Sequence, residues 1–160
     1  MLLHLLRHAH AGDPEAWHGD DSARPLSEKG EAQARRLARH LEAIGFRTDR
    51  IISSPKVRAA QTAEPVADRI GLAVTFDDRL AGGLDIEAAE AALGDAGDPE
   101  SVVLVGHDPD FSDLLALLCG AAGVSMRKGA LARIEIDRPL MAGAGNLRWL
   151  LPPDALKSER

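Results

Sequence analysis

The stretch Leu2-Leu3-His4-Leu5-Leu6-Arg7-His8 decides the fold of this chain. Its first five residues form a short and almost uninterrupted apolar run, which is typical of a strand buried on both faces. Arg7 and His8 come directly after that strand. In an open α/β sheet, ligands bind outside the carboxyl ends of the strands. The sequence therefore predicts a binding site where the first strand ends.

Strands and helices alternate along the rest of the chain. This alternation predicts a mostly parallel sheet with helices on both faces, which is a three-layer α/β/α sandwich. Turn residues between the last two apolar segments predict a C-terminal antiparallel hairpin. Residues 1–153 are expected to form a single domain and 154–160 a solvated tail. Strands are predicted at 2–6, 50–53, 72–76, 101–105, 130–137 and 146–151, and helices at 28–44, 55–70, 86–93 and 111–118.

The boundaries of two helices carry specific expectations. Ser27 is a predicted N-cap, and Gly45 is expected to end the same helix in a left-handed conformation. Ser54 and Pro55 predict a cap followed by proline at the first helical position. Pro65 lies inside that second helix and is expected to kink or split it.

The composition excludes several classes of function. The net charge of −6 argues against a protein that binds nucleic acid by neutralising phosphates. No apolar run approaches the length of a membrane span, and the apolar N-terminus is too short for a signal peptide. The one cysteine, Cys119, lies in an apolar stretch and is expected to be a buried, inert thiol. We expect a cytoplasmic protein.

Four chemically active residues are predicted to meet at the carboxyl edge of the sheet. Arg7 and His8 follow the first strand, Arg58 lies in the first turn of the helix after the second strand, and His107 follows the strand at 101–105. Arginine offers planar, permanently charged donors to phosphate oxygens, and helix N-termini add free N–H groups. One imidazole can attack phosphorus while the other donates to the phosphoryl oxygens. The pattern indicates phosphoryl transfer that needs neither a metal nor another cofactor.

Four segments resemble sequence elements of the histidine phosphatase superfamily. Arg7-His8 resembles its RH motif, and Arg24–Gly30 resembles its R-x-L-[ST]-x-x-G element. Ser53–Ala63 resembles its S-S-P-x-x-R-[AC]-x-Q-T-A element, and Val105–Pro109 resembles its G-H element. The elements occur in the family's order, and the short chain without a large insertion resembles the SixA-type phosphohistidine phosphatases.

This resemblance implies a role for each of the four residues. His8 takes the place of the phosphorylated nucleophile. Arg7, Arg58 and His107 take the places of the residues that hold the phosphoryl group.

The chain departs from the family at two points. Ala9 stands where many members have glycine, and the carboxylates of 77–90 match no general-acid motif. Asp108, Asp13 and Asp85 are candidates for the general acid, although Asp108 fits an N-cap better, and the chain can also lack this acid. A protonated phosphohistidine is already a good leaving group, so the missing acid favours phosphohistidine over an alkyl ester as substrate.

Other polar residues are interpreted as structural. Arg24 and Ser27 are expected to organise the loop and cap the helix, and Ser53 and Ser54 to shape a turn. Trp17, in the loop 9–25, is expected either to contact substrate or to cover an apolar patch. No metal site is predicted, because the remaining histidines match no zinc spacing; these are His4, His10, His18 and His40.

The sequence thus predicts a monomeric, metal-independent phosphatase that forms a phosphohistidine intermediate on His8. A phosphohistidine-bearing protein is the first expectation for its substrate. A small phosphorylated metabolite stays open as the substrate, and so does a non-catalytic module that only binds phosphate. Neither nucleic acid nor a membrane is expected as a partner.

Overall fold

The computed structural model describes residues 1–157 and contains one six-stranded sheet. Four helices cover the sheet, so the predicted three-layer α/β/α sandwich is confirmed. In chain order the elements are β1 (Leu2–Arg7), α1 (Glu28–Ala43), β2 (Arg50–Ser53), α2 (Val57–Ile70), β3 (Val74–Phe76), α3 (Ile86–Asp95), β4 (Ser101–Gly106), α4 (Asp110–Cys119), β5 (Leu131–Glu135) and β6 (Asn146–Leu151).

The strand order is β3-β2-β4-β1-β5-β6. The first four strands in that order are parallel, and β5 and β6 form the predicted antiparallel hairpin at one side. β1 lies between β4 and β5, with Leu6 opposite both Val105 and Leu131. This inner position explains why the N-terminal run is apolar throughout.

Side chains of β1 alternate between the two halves of the core, because successive residues of a strand point to opposite faces. Leu3 and Leu5 pack in the half that α3 and α4 cover. Leu6 packs in the half that α1 and α2 cover, together with Leu37 and Val66. Both faces of β1 are therefore buried in the core, and Arg7 and His8 lie at its carboxyl end.

Helix α1 has the predicted boundaries, whereas α2 does not. Ser27 accepts a hydrogen bond from the Gly30 amide at 3.1 Å, and Gly45 has a φ of 68° just after the helix. α2 begins at Val57 rather than at Pro55, with Lys56 at the N-cap position. The Ser54 hydroxyl accepts from the Lys56 amide inside the preceding turn, so it is not the cap of α2.

The predicted split at Pro65 does not occur, because α2 continues to Ile70. Proline removes one backbone donor from the helix, and buried neighbours compensate. Ala63, Val66 and Ala67 bury the apolar face of α2 on both sides of the proline.

Three further differences from the expected elements concern short segments. β3 begins at Val74, two residues later than expected, and the loop 9–25 contains two 3-10 turns. The chain also continues beyond residue 153 in a 3-10 helix, Pro153–Leu156, with Leu156 packed against the half of the core under α1 and α2. Residues 154–156 of the expected tail thus belong to this 3-10 helix, and residues 158–160 lie outside the described residues.

Candidate active site

His8 is held by backbone hydrogen bonds on both sides. Its amide donates to the Gly106 carbonyl at 2.9 Å, and its carbonyl accepts from the Gly129 amide at 2.9 Å. Its Nδ1 lies 2.7 Å from the Ala9 carbonyl oxygen. A carbonyl can only accept, so Nδ1 carries the proton and Nε2 carries the lone pair.

The same surroundings keep the His8 ring neutral at neutral pH. Burial lowers its pKa to about 4, and although the bond to Ala9 opposes this, the positive charges of Arg58, Arg7 and Lys128 add to it. The side chain is 6% exposed. An unprotonated Nε2 is therefore available as a nucleophile over the whole physiological range.

His107 lies beside His8, with the ring centroids 5.2 Å apart. Its Nε2 is 2.7 Å from the Ser54 hydroxyl, which also accepts from the Lys56 amide at 3.2 Å. The hydroxyl can donate to Nε2 of His107 while it accepts from Lys56, and in this arrangement the ring proton of His107 is on Nδ1. Burial above all, and then the charge of neighbouring groups, lowers the pKa of His107 to about 3.

Each arginine of the set is anchored at one end of its guanidinium. Arg7 donates from Nη1 to the Met126 carbonyl at 2.7 Å and lies 3.3 Å from Oδ2 of Asp108. Arg58 donates from Nη1 to the Asp21 carbonyl at 2.8 Å and from Nη2 to the Asp21 carboxylate at 2.9 Å. Both charges lie close enough to His8 to depress its pKa.

Three buried nitrogens of this group make no hydrogen bond, namely Nε of Arg7, Nε of Arg58 and Nδ1 of His107. Within residues 1–157, Nε of Arg36 is the only other buried side-chain nitrogen or oxygen without a partner. Buried donors nearly always have partners, and an unmade bond costs about 1–3 kcal/mol. Because these nitrogens belong to residues that neighbour His8, the arrangement suits a tetrahedral oxyanion.

Asp21 is the site residue that sequence reasoning missed. Its carboxylate accepts hydrogen bonds from both Arg24 and Arg58, and these contacts hold the pKa of Asp21 below its usual range. Asp21 lies in a 3-10 turn of the loop after β1, where no regular pattern fixes its direction. The only available signal was its position three residues before Arg24, and Asp20 next to it fits that signal almost as well.

The residues of the motifs shape the backbone that follows His8. A Cβ on Gly30 would lie 1.9 Å from the His10 carbonyl oxygen, so only glycine permits this approach of α1 to the loop. The Thr62 hydroxyl accepts from the Ala9 amide at 3.0 Å, and the Gln33 side chain accepts from the His10 amide at 2.9 Å. Arg24, which is buried, donates to the loop at the Ala11 carbonyl.

The three candidate general acids all accept hydrogen bonds from the backbone. Asp108 accepts from the Ser112 amide at 3.1 Å, Asp13 from the Glu15 amide at 2.9 Å and Asp85 from the Ala88 amide at 2.8 Å. Asp85 is the N-cap of α3. Asp108 is the one of the three that also contacts a residue of the site, through its ion pair with Arg7.

Two of the four histidines that were considered as metal ligands, His4 and His10, have local partners. His4 is buried between the Val102 carbonyl and Nε of Arg133, and His10 lies 2.6 Å from the Ser27 hydroxyl. Among residues 1–157, no three side chains of His, Cys, Asp or Glu are placed to hold a metal ion.

Trp17 and Cys119 lie outside the site. Trp17 is 37% exposed and donates to the Asp20 carbonyl within its own loop. Cys119 is half-buried, and burial raises the pKa of its thiol. In the described part of the chain, no helix is long and apolar enough to cross a membrane.

Comparison with known proteins finds one family. The model of the histidine phosphatase superfamily (branch 1) matches residues 3–82, a range that includes Arg7, His8 and Arg58 and ends before His107. The phosphohistidine phosphatase SixA of Escherichia coli (strain K12) is 30% identical over 163 residues, covering 98% of this chain and 97% of that protein.

Two further similarities extend this comparison. The solved structure of the protein histidine phosphatase SixA complexed with tungstate superposes with a TM-score of 0.82, at 29% identity, over 98% of this chain and all of that one. The 8-oxo-(d)GTP phosphatase of Mycolicibacterium smegmatis is 31% identical over 94% of this chain, which spans 48% of that protein.

Proposed function

This chain belongs to the histidine phosphatase superfamily and is a phosphatase, and from that premise we propose that it transfers the phosphoryl group of its substrate first to Nε2 of His8 and then to water. The observation that carries this proposal is the set of three unpartnered buried donors around the His8 ring. The neutral state of His8 supports it as well, because only an unprotonated imidazole can attack phosphorus.

The reaction has two displacement steps. In the first, the lone pair of Nε2 of His8 forms a bond to phosphorus while the bond to the leaving group breaks, and the leaving group departs with that electron pair. An imidazole that is protonated on its other nitrogen leaves as a neutral ring, whereas an ester oxygen takes up a proton from water. In the second, a water oxygen attacks phosphorus and gives up a proton, and the N–P electron pair returns to Nε2. Each step is easier than direct attack of water on the substrate.

The arginines and His107 stabilise the phosphoryl group in both steps. Nε of Arg7, Nε of Arg58 and Nδ1 of His107 donate to its equatorial oxygens, where charge accumulates in the transition state. Their anchored ends lower the cost of this interaction, because the Met126 carbonyl and Asp21 already hold the guanidinium groups.

Within the described residues, the site offers the leaving group no evident proton donor. Asp21 is ionised at neutral pH because two arginines hold its pKa low, so it has no proton to give. Asp108 accepts two hydrogen bonds from Ser112, and its Oδ2 lies 3.3 Å from Nη1 of Arg7, so both of its oxygens already have partners. This environment favours a leaving group that departs as a neutral, already protonated imidazole.

A phosphohistidine side chain on another protein is therefore the substrate that we propose first. The similarity to SixA, which is named a phosphohistidine phosphatase, supports this choice along the whole chain. A small phosphorylated metabolite is the second candidate. The relative that is named an 8-oxo-(d)GTP phosphatase supports it.

The test compares phosphate release by the wild type and by His8→Ala, with EDTA present. The substrates are a phosphohistidine-bearing carrier protein and an aryl phosphate. We expect His8→Ala to abolish release from both, and we expect acid-labile phosphate on the wild-type chain after rapid quenching. His40→Ala, which removes a histidine from the far end of α1, is the matched control and should keep the wild-type rate.

The outcomes separate the candidates. Equal release by wild type and His8→Ala would overturn the covalent mechanism. Phosphate binding by the wild type without release from any phosphorylated compound would favour the non-catalytic module. The ratio of rates on the two substrates distinguishes the protein substrate from a small one.

A further inference from the structure

A cleft of about 320 Å³ opens beside Arg7 and is rich in positive charge. It is separate from the group of donors around the His8 ring, although Arg7 belongs to both. The residues that matter for its charge are Arg7, His10, Lys29, Arg127, Lys128 and Asp154.

Lys128 is held next to His8 by the backbone. The amide of Gly129 donates to the carbonyls of both Arg7 and His8, at 3.1 and 2.9 Å. The Ala130 amide closes a turn on the Arg127 carbonyl at 2.9 Å, and Gly129 has a φ of 81°, which glycine adopts without strain. Lys128 is thus half-buried in a fixed turn directly at the active site, rather than at the end of a mobile loop.

The acidic groups near this cleft already have partners. Asp108 pairs with Arg7 at 3.3 Å, and Asp154 lies 3.6 Å from Arg127 and 3.4 Å from Lys157. Among residues 1–157, no carboxylate lies within 4 Å of the amino groups of Lys29 or Lys128.

The pKa of Lys128 reflects the excess of positive over negative charge around it. Burial lowers its pKa, and the positive charges of Arg7, Arg24 and Lys29 lower it further. A partly desolvated cation among other cations is unfavourable until an anion joins it. The protein therefore maintains an excess of positive charge beside the phosphoryl site, and the three donors around His8 do not account for it.

We propose that Lys128 and Lys29, together with His10, bind a second anionic group of the substrate, one that lies close to the phosphoryl group transferred to His8. This inference rests on the proposed function, because it concerns the same substrate. The second anion is either another phosphate of a small metabolite or an acidic side chain beside a phosphohistidine. Both offer the anionic oxygens that an ammonium group binds as a point charge.

The first experiment measures binding and needs no turnover. Methylphosphonate and methylenediphosphonate are titrated into the wild type, Lys128→Met and Arg50→Met. We expect the wild type to prefer methylenediphosphonate, and Lys128→Met to reduce the preference about tenfold, the effect of one charge-assisted contact. Arg50→Met removes the same charge at the start of β2, the end opposite His8, and should keep the preference.

A second arm tests the protein source. Two phosphohistidine peptides differ only in having Glu or Gln next to the phosphohistidine, and their affinities are compared for the same three proteins. A preference for Glu that is lost in Lys128→Met identifies an acidic side chain as the second anion. If Lys128→Met loses only the preference for methylenediphosphonate, the second anion is a phosphate.

The proposal is overturned if Lys128→Met leaves the preference unchanged in both arms while its melting curve remains wild-type. It is equally overturned if the wild type shows no preference in either arm. Failure of the proposed function gives a different result, because phosphate release would then be absent while the binding preference and its dependence on Lys128 remain.

Discussion

Hydrogen bonds of the two site histidines decide which nitrogen of each ring is available. Nδ1–H of His8 donates a hydrogen bond to the Ala9 carbonyl, whereas His107 is bonded through Nε2 to the Ser54 hydroxyl. The two rings therefore present different nitrogens, an Nε2 lone pair on His8 and an Nδ1–H on His107. The different neighbours of the two rings fit the roles proposed for them, a nucleophile for His8 and a donor for His107.

Asp21 contacts Arg58, one of the two arginines proposed to bind phosphate, and this leads to a prediction about affinity. We expect Asp21→Ala to bind inorganic phosphate about threefold to tenfold more tightly, because a negative charge 2.9 Å from Nη2 of Arg58 is removed. Arg58 keeps its bond to the backbone carbonyl of residue 21, and Arg24 keeps its bond to Ala11.

Isothermal titration with phosphate measures this change. Asp13→Ala removes the same charge from the same loop without a contact to Arg58, so its affinity should stay at the wild-type value. Weaker phosphate binding in Asp21→Ala would show instead that Asp21 acts mainly by positioning Arg58.

Among the elements, the contact between α1 and the loop after His8 is the least tolerant of change. We expect Gly30→Ala to lower the free energy of unfolding by about 2 kcal/mol or more, because the new methyl group would lie 1.9 Å from the His10 carbonyl oxygen. The loop that carries Ala9 and His10 would have to move, so phosphate release should fall as well.

Urea unfolding followed by circular dichroism measures the stability change. Gly94→Ala is the matched control, because Gly94 is also helical and a Cβ there would meet nothing within 4 Å. That variant should gain about 0.5–1 kcal/mol from higher helix propensity. Equal stability of Gly30→Ala and the wild type would contradict the close approach seen here.

Elements with strong local signals could be predicted from the sequence, and contacts between distant loops could not. Ser27 and Gly45 delimit α1 as predicted, because capping depends on residues within one turn. The prediction that Ser54 caps α2 is wrong. Its hydroxyl forms a hydrogen bond with His107, a partner 53 residues away.

Some residues of the candidate site could likewise be predicted from local sequence patterns, and others could not. The positions of Arg7 and His8 follow from the end of a strand, since parallel strands share one carboxyl edge. The pairing of Asp21 with Arg58 depends on the path of an irregular loop. The turn that carries Lys128 depends on backbone bonds from Gly129 to Arg7 and His8, which no local pattern reveals.

For the whole molecule, three buried histidines couple stability to pH. Burial is the largest cause of the low pKa of each, about 4 for His4, about 4 for His8 and about 3 for His107. In the unfolded chain each titrates near 6.5. As the pH falls below 6.5, the unfolded chain therefore takes up protons that the folded protein does not, and stability falls until the folded pKa values are reached.

We expect the free energy of unfolding to drop by about 2 kcal/mol per histidine between pH 7.5 and pH 5. Urea unfolding at pH 7.5, 6.5, 5.5 and 5 measures this slope. His4→Gln removes one of the three titrations at a distance from the phosphoryl site, and its slope should be about two-thirds of that of the wild type. A wild-type stability that is flat over this range would contradict the neutral, buried state of these rings.

The inner position of β1 has a consequence for protein synthesis. This strand is translated before both of its partners, because β4 and β5 follow only after residue 100. A nascent chain of 100 residues contains Arg7, His8 and Arg58, yet it lacks both His107 and the Gly129 amide that binds His8. We therefore expect such a nascent chain to lack phosphatase activity, and we expect its apolar segment Leu2–Leu6 to stay unpaired until translation has passed residue 135.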